Sequence, residues 1–250
     1  MSATAAAIAA PVGAAVGLGA GWLSVLLERV EGLEAEDSRD RESYEREVAE
    51  LAAKAVEAAD DPATAGPWEA DRYGWTWLER VLCPLFGALG FAAFAAHEPF
   101  GTGLLIHLFW VATFVQIVSF DLKHRLILNR VTYPSLVIAV ALSFVSPGLS
   151  IWMSLAGGLA VGLFFVIQNL VSRGGIGLGD AKLGALIGAI CGLSLDYNHI
   201  GAVYAVIYAI FLGGAVALLL LILRVRGLKD PIPYGPFLCV GAALILYQGP

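Results

Sequence analysis

Long apolar stretches alternate with short polar ones along most of the chain. A membrane-spanning helix needs about 20 mostly apolar residues, and several stretches meet this requirement. The pattern predicts eight spans, at approximately residues 5–27, 81–97, 102–120, 132–149, 151–171, 183–197, 200–223 and 233–248. The sixth and eighth are short, and we expect them to be tilted, partly re-entrant or packed inside the bundle. The predicted fold class is therefore an all-α, polytopic membrane protein.

One long polar segment, residues 31–79, interrupts this pattern. Within it, Tyr44, Val48, Leu51 and Ala55 recur at helical spacing, which predicts an amphipathic helix over residues 40–59. We therefore divide the chain into a first transmembrane helix (1–30), a cytoplasmic segment (31–79) and a membrane core (80–250).

Composition supports a protein that spans the lipid bilayer. The 250 residues are 58% hydrophobic and 14% charged, and the mean hydropathy is +0.77, whereas soluble domains carry roughly a quarter charged residues. The net charge of −6 comes mostly from the polar segment, so it does not indicate a nucleic-acid partner. No positive residue precedes the first span, which favours a retained span over a cleaved signal peptide.

The basic residues predict the orientation of the chain. Lysine and arginine collect in cytoplasmic loops, and all 15 of them fall in four regions: 29–80, 123–130, 173–182 and 224–229. Eight spans with both chain ends outside place all four regions on the cytoplasmic side.

Two acids occupy unusual positions, each where a predicted span meets the cytoplasmic face. These are Asp121 and Asp180, and the second lies in "GLGDAKLG", residues 177–184. Acids at membrane depth are costly, and they usually serve a function or pair with a base. Taken singly, a helix cap or an ion pair explains each as well as catalysis does. Two acids at the same depth favour a shared function.

Two neighbouring carboxyl groups can share one proton. One member can then activate water as a base while the other donates a proton to a substrate carbonyl. Gly177 and Gly179 would let a peptide backbone approach closely. This chemistry needs no metal, and the three cysteines, Cys83, Cys191 and Cys239, show no metal-binding spacing. We assign no metal site.

Four stretches resemble the type IV prepilin peptidases, within the wider group of Gly-x-Gly-Asp aspartyl intramembrane proteases. "DLKHRLILNRVTYP", which begins at Asp121, is similar to the segment that opens with their first catalytic aspartate. "GLGDAKLGALIG" is similar to their second-aspartate segment, and "IPYGPFL" (232–238) to the Pro-Phe-Gly-Pro segment of their last helix. "AGWLSVLLER" (20–29) resembles a Gly-Ser-Phe-Leu-Asn-Val stretch near their start. The resemblance spans nearly the whole chain in the family's order.

The resemblance implies an aspartic endopeptidase of the bacterial inner membrane, with residues 80–250 as its peptidase core. Its substrate would be a prepilin or pseudopilin with a hydrophobic N-terminal helix. The enzyme would remove the basic leader after a glycine at the cytoplasmic face. The catalytic pair would be Asp121 and Asp180. The implied active-site support residues are Gly177, Gly179, Lys182, Asn129, Pro233, Gly235 and Pro236.

The sequence departs from the family at several positions. Leu128 replaces a proline before Asn129, and Ala20 and Ser24 replace a glycine and an asparagine. The cytoplasmic segment lacks the paired cysteines that bind zinc in many similar enzymes, in a domain associated with N-methylation of the new amino terminus. We therefore expect no zinc and no cofactor, and S-adenosylmethionine only if methyl transfer is retained.

Three alternatives remain. A presenilin-like or signal-peptide-peptidase-like protease shares the Gly-x-Gly-Asp motif, but Asp121 follows Phe120 rather than tyrosine, and a Pro-Ala-Leu motif is absent. A proton-coupled transporter would place its acids nearer mid-bilayer and favour internal repeats. A non-enzymatic membrane scaffold would leave the two acids without a purpose.

Overall fold

The computed structural model describes residues 3–31, 76–172, 177–194, 200–223 and 233–248, and the regular secondary structure in these ranges is helical. The eight α-helices are α1 (Ala3–Glu31), α2 (Cys83–His97), α3 (Thr102–His124), α4 (Asn129–Leu142), α5 (Ile151–Val171), α6 (Leu178–Cys191), α7 (Gly201–Ile222) and α8 (Gly235–Gln248). A π-helical turn, Leu78–Leu82, leads into α2. The eight helices correspond one to one with the predicted spans, which confirms the all-α prediction. The amphipathic helix predicted at 40–59 lies outside the described residues.

Five helices in the described ranges are long and apolar enough to cross a membrane. They are Thr4–Glu31, Glu79–His97, Thr102–His124, Ile151–Val171 and Gly201–Ile222. The other helices, α4, α6 and α8, have 14 residues each, or about 21 Å of length, against a hydrocarbon core of about 30 Å. The multi-pass membrane prediction is confirmed.

The short helix α6 lies at the centre of the bundle. It packs against α4, α5, α7 and α8, and its Leu183, Leu186 and Ile187 are fully buried. Neighbouring helices, rather than lipid, therefore cover the apolar surface of α6. This placement agrees with the expectation that the sixth apolar stretch packs inside the bundle.

The ends of two helices differ from the predicted spans in a way that matters for the acids. The sixth span was predicted at 183–197, but α6 begins at Leu178. The residue before it, Gly177, has an extended backbone conformation and precedes the first helical turn. Helix α6 ends where Gly192 takes a φ of 71°, a conformation that side chains disfavour. Helix α3 continues beyond residue 120 to His124, after which Arg125 adopts a left-handed φ of 53°. Asp180 therefore lies in a first helical turn and Asp121 in a last one.

Both acids lie at the same end of the bundle, which we call the Asp end. There α1 and α3 end while α4, α6 and α8 begin, as shown by hydrogen bonds from Gly235 to Asp121 and from Lys182 to Asn129. At the opposite end the rings of Phe94 and Tyr247 lie 5.7 Å apart, near the end of α2 and the end of α8.

Helix α3 is shared by two packed groups of helices. Leu104, Val111 and Val115 contact the group that includes α1 and α2, whereas Trp110 and Phe114 contact the group around α6. The carboxyl end of α3 is thus held from both sides, which fixes the position of Asp121.

The closest helix pair in the second group is α5 with α6. Gly157 and Gly188 meet without side chains between them, and a Cβ at either glycine would collide with the backbone carbonyl oxygen of the other. Such small-residue contacts let membrane helices pack at close range.

The Asp end is expected to face the cytoplasm, because the basic residues collect there. In single-cysteine variants, an impermeant thiol reagent applied from outside should label positions near 99 and 197. It should not label positions near 45, 125, 176 and 227 until the membrane is opened. External labelling near residue 125 would contradict this orientation.

Candidate active site

Asp121 lies in the last turn of α3 and is 4% exposed. Its Oδ2 accepts a hydrogen bond of 3.0 Å from the backbone N–H of Gly235, the first residue of α8. An N–H at a helix amino terminus is a favourable partner for a carboxylate, because the helix dipole and the unpaired backbone donors both attract negative charge. Two helices distant in sequence therefore meet at this carboxylate.

Position 235 requires a glycine for a steric reason. A Cβ there would lie 2.5 Å from Asp121 Oδ2 and 3.4 Å from Leu183 Cδ2 on α6. The space beside the carboxylate is thus filled by the Gly235 backbone itself. The glycine of the "IPYGPFL" segment therefore lies directly against the first acid.

Asp180 lies in the first turn of α6 and is half-buried. Its backbone N–H donates to the carbonyl oxygen of Gly177, at 3.1 Å. Asp121 and Asp180 are close enough for their negative charges to repel each other, and the charge of Asp180 also reaches the phenol of Tyr234. The structure therefore brings the two predicted acids to one site, with Tyr234 at its edge.

The predicted support residues Lys182 and Asn129 contact each other. Lys182 Nζ donates to Asn129 Oδ1 at 2.7 Å and lies 5.5 Å from the centre of the Tyr133 ring. This hydrogen bond joins the start of α6 to the start of α4. Lys182 therefore acts as a link between helices.

The predicted glycines and prolines take separate positions. Gly177 precedes α6, where a Cβ would lie 3.4 Å from Asp180 Oδ2. At Gly179 a Cβ would lie 3.3 Å from Ile127 Cβ, so this glycine lets the α3–α4 loop approach α6. Pro233 and Pro236 flank Tyr234 and Gly235, and Pro236 is the second residue of α8, where the fixed φ of proline suits a helix start.

The sequence profile of the type IV leader peptidase family matches residues 106–218. These residues, a little under half of the chain, are similar to the type IV leader peptidase family. The matched range includes both acids of the site, together with Asn129 and Lys182. Gly235 and its neighbouring prolines lie beyond it, so Asp121 accepts its backbone hydrogen bond from a helix outside the matched range.

Curated relatives match over part of their length. The prepilin leader peptidase/N-methyltransferase of Xanthomonas campestris pv. campestris is 26% identical over 141 residues, which cover 54% of this chain and 47% of the relative. The protein of that name from Bacillus subtilis is 25% identical over 151 residues, 59% of this chain and 58% of the relative. The one from Aeromonas hydrophila is 28% identical over 154 residues, 60% and 51% respectively. The chain spans about half the length of these relatives, and no solved structure matches it.

A buried cluster of charges lies beside the acids, and the sequence patterns did not predict it. Lys123 Nζ lies 2.5 Å from Glu28 Oε1 and 2.8 Å from Glu79 Oε1, while His124 Nε2 lies 2.8 Å from the same Glu28 oxygen. We call these four residues the Lys123 clamp. Glu79 is fully buried and also accepts from the backbone N–H and hydroxyl of Thr76.

The Lys123 clamp fixes the carboxyl end of α3, two residues beyond Asp121, to the end of α1 and to the π-helical turn. The sequence contained one signal for it: Glu28 and Glu79 border apolar spans, where an acid requires a partner. Lys123 lies in a basic region that the cytoplasmic preference of lysine and arginine already explains, so the sequence did not indicate an ion pair for it.

Proposed function

We propose that this chain is a membrane aspartyl endopeptidase that removes the basic leader of a prepilin-like protein. The observation that carries this proposal is the placement of Asp121 and Asp180 at one end of the bundle, within electrostatic reach of each other. The match of residues 106–218 to the type IV leader peptidase family supports it. The names of the curated relatives suggest the substrate class.

The proposed reaction uses the two acids as a pair that shares one proton. One carboxylate takes a proton from a water molecule, and the water oxygen forms a bond to the carbonyl carbon of the scissile peptide. The other, protonated, acid donates its proton to the carbonyl oxygen. The tetrahedral intermediate then collapses, the C–N bond breaks, and the leaving amine takes up a proton from the pair. The Gly235 N–H holds the Asp121 carboxylate in place throughout.

We further propose that the site works at the cytoplasmic face of the bacterial inner membrane. The short leader of the substrate carries positive charge on that side, and the hydrophobic helix that follows it lies in the bilayer. The scissile bond would then lie at the depth of the Asp end. Acids at the end of the bundle fit this task better than transport, which favours acids near mid-bilayer.

Methyl transfer is not part of this proposal. The names of the curated relatives include an N-methyltransferase activity, but in this chain the only cysteines are Cys83, Cys191 and Cys239, within the helices. The polar segment therefore has no cysteine pair for zinc. We expect cleavage to proceed with neither zinc nor S-adenosylmethionine.

Co-expression of the chain with candidate prepilins and pseudopilins tests the proposed function. Mass spectrometry of each candidate should show a new amino terminus directly after the glycine that joins the basic leader to the apolar helix. The same spectra show whether the mature end carries a methyl group. Intact leaders on every candidate, with the chain inserted and folded, would overturn the proposal.

A further inference from the structure

An apolar groove of about 530 Å³ runs between α4 and α5, with α6 as its floor. Although α4 and α5 are consecutive, each packs more extensively against α6 than against the other. Their divergence leaves the groove open along one side of the bundle. Leu136 on α4 and Leu159 on α5 form its walls, and Ala181, Ala185 and Ala189 form its floor.

The groove leads directly to the candidate active site. Its lining includes Leu178 and Lys182, which lie two residues before and after Asp180 on the floor helix. From Leu178 to Ala189 the floor extends about 16 Å, or three helical turns. A helix lying along this floor would end beside Asp180.

A buried hydroxyl in the groove points to a polypeptide occupant. Ser154, near the start of α5, lines the groove and is fully buried, yet its Oγ has no hydrogen-bond partner within the described part of the chain. A serine inside a helix normally donates to a carbonyl oxygen one turn earlier, and an unpaired buried hydroxyl is costly. The hydrocarbon tail of a lipid offers no hydrogen-bond partner, whereas a second helix offers hydroxyl or carbonyl oxygens. The three floor alanines would also let a helix backbone approach closely.

We infer that this groove holds the apolar N-terminal helix of the substrate, with the leader junction at the Lys182 end beside Asp180. The inference rests on the proposed function, because it names where the substrate of that site docks. Ser154 anchors the far end of the bound helix, and the Lys182–Asn129 hydrogen bond closes the near end. The groove thereby sets which peptide bond reaches the acids.

Photo-crosslinking tests this docking site. The probe is a model prepilin with a basic leader, a glycine and an apolar helix of about 20 residues. It is bound to an Asp180→Asn chain in which p-benzoyl-phenylalanine replaces Leu159. The matched control replaces Ile167, which lies on another face of the same helix, outside the groove, and is comparably exposed, 56% against 65%. We expect several-fold more substrate adduct at position 159 than at position 167.

Kinetics provide the second readout. Ser154→Ala should raise KM for the model prepilin about threefold, the effect of one average hydrogen bond between membrane helices, without lowering the thermal stability of the free enzyme. A purely structural serine would change stability and leave KM alone. Leu159→Trp should raise KM several-fold, and Ile167→Trp should not.

The outcomes separate the two proposals. If the wild-type chain cleaves the probe but position 159 crosslinks only lipid, or no more substrate than position 167, the groove proposal is wrong and the proposed function stands. An unchanged KM in both Ser154→Ala and Leu159→Trp would likewise contradict the groove proposal and leave the proposed function standing. If the folded wild-type chain leaves the probe uncut, the proposed function fails and the groove proposal fails with it.

Discussion

Asp121→Asn and Asp180→Asn should each lower the rate of leader cleavage by at least about 10³-fold, within the range for loss of a positioned acid or base. The substitution keeps the shape of the side chain, and the Gly235 N–H can still donate to the amide oxygen at position 121. The protein should therefore remain inserted and folded. Because the two residues act as one unit, the double variant should be hardly slower than either single one.

The same pair predicts a bell-shaped dependence of activity on pH. At low pH both carboxyl groups are protonated and neither can accept a proton from water. At high pH both are ionised and neither can donate to the carbonyl oxygen. The two limbs report macroscopic pKa values that belong to the pair rather than to one residue.

Asp230→Asn is the matched control for this prediction. Asp230 directly follows the basic region 224–229, outside the described residues, and we assign it no role in the reaction. Cleavage assays should find most of the activity retained in this variant. A well-folded Asp121→Asn or Asp180→Asn enzyme with near-normal cleavage would contradict the aspartyl mechanism and favour the transporter or scaffold alternatives.

Lys123→Met should cost about 3–5 kcal/mol of folding stability, the range for removal of one partner from a buried ion pair. The side chains of Lys123, Glu28 and Glu79 are 4%, 3% and 0% exposed, so water cannot replace the lost ammonium. Thermal unfolding of the purified protein in detergent should show the loss. The triple variant Lys123→Met/Glu28→Gln/Glu79→Gln should recover much of it, because no buried carboxylate is then left uncompensated.

Arg130→Met provides the comparison for Lys123→Met. Arg130 Nε lies 3.1 Å from Glu31 Oε1 near the same end of the bundle, but its side chain is 57% exposed. Exposed ion pairs contribute about 0–1 kcal/mol. If Lys123→Met unfolds at the same temperature as Arg130→Met, the Lys123 clamp does not hold the end of α3.

The apolar pattern was sufficient to predict the number of helices and the common end of the acids, because bilayer thickness and backbone hydrogen bonding leave few alternatives. It did not place the start of α6, because residues 174–179 contain four glycines and were therefore predicted as loop, while burial among four helices favours helix. The contact between Asp121 and Gly235 spans 114 residues. The family resemblance placed Gly235 among the active-site support residues but did not predict this contact, because local periodicity carries no information about such pairs.

The Lys123 clamp was beyond prediction for a related reason. Glu28 and Glu79 are far apart in the chain, and each alone reads as a charge at a membrane edge. Their pairing depends on the packing of α1 against α2 and α3, which a hydrophobic pattern does not encode.

The Lys123 clamp also brings together the two described ends of the chain on either side of residues 32–75. Glu28 belongs to the last turn of α1 and Glu79 to the turn before α2, and both carboxylates contact one ammonium. The two ends of the segment between them therefore lie close together. Adding residues to that segment or removing them changes its closure entropy only slowly. For protein engineering, a reporter domain or a short linker can therefore replace the residues between Glu28 and Glu79 while the two acids keep their positions.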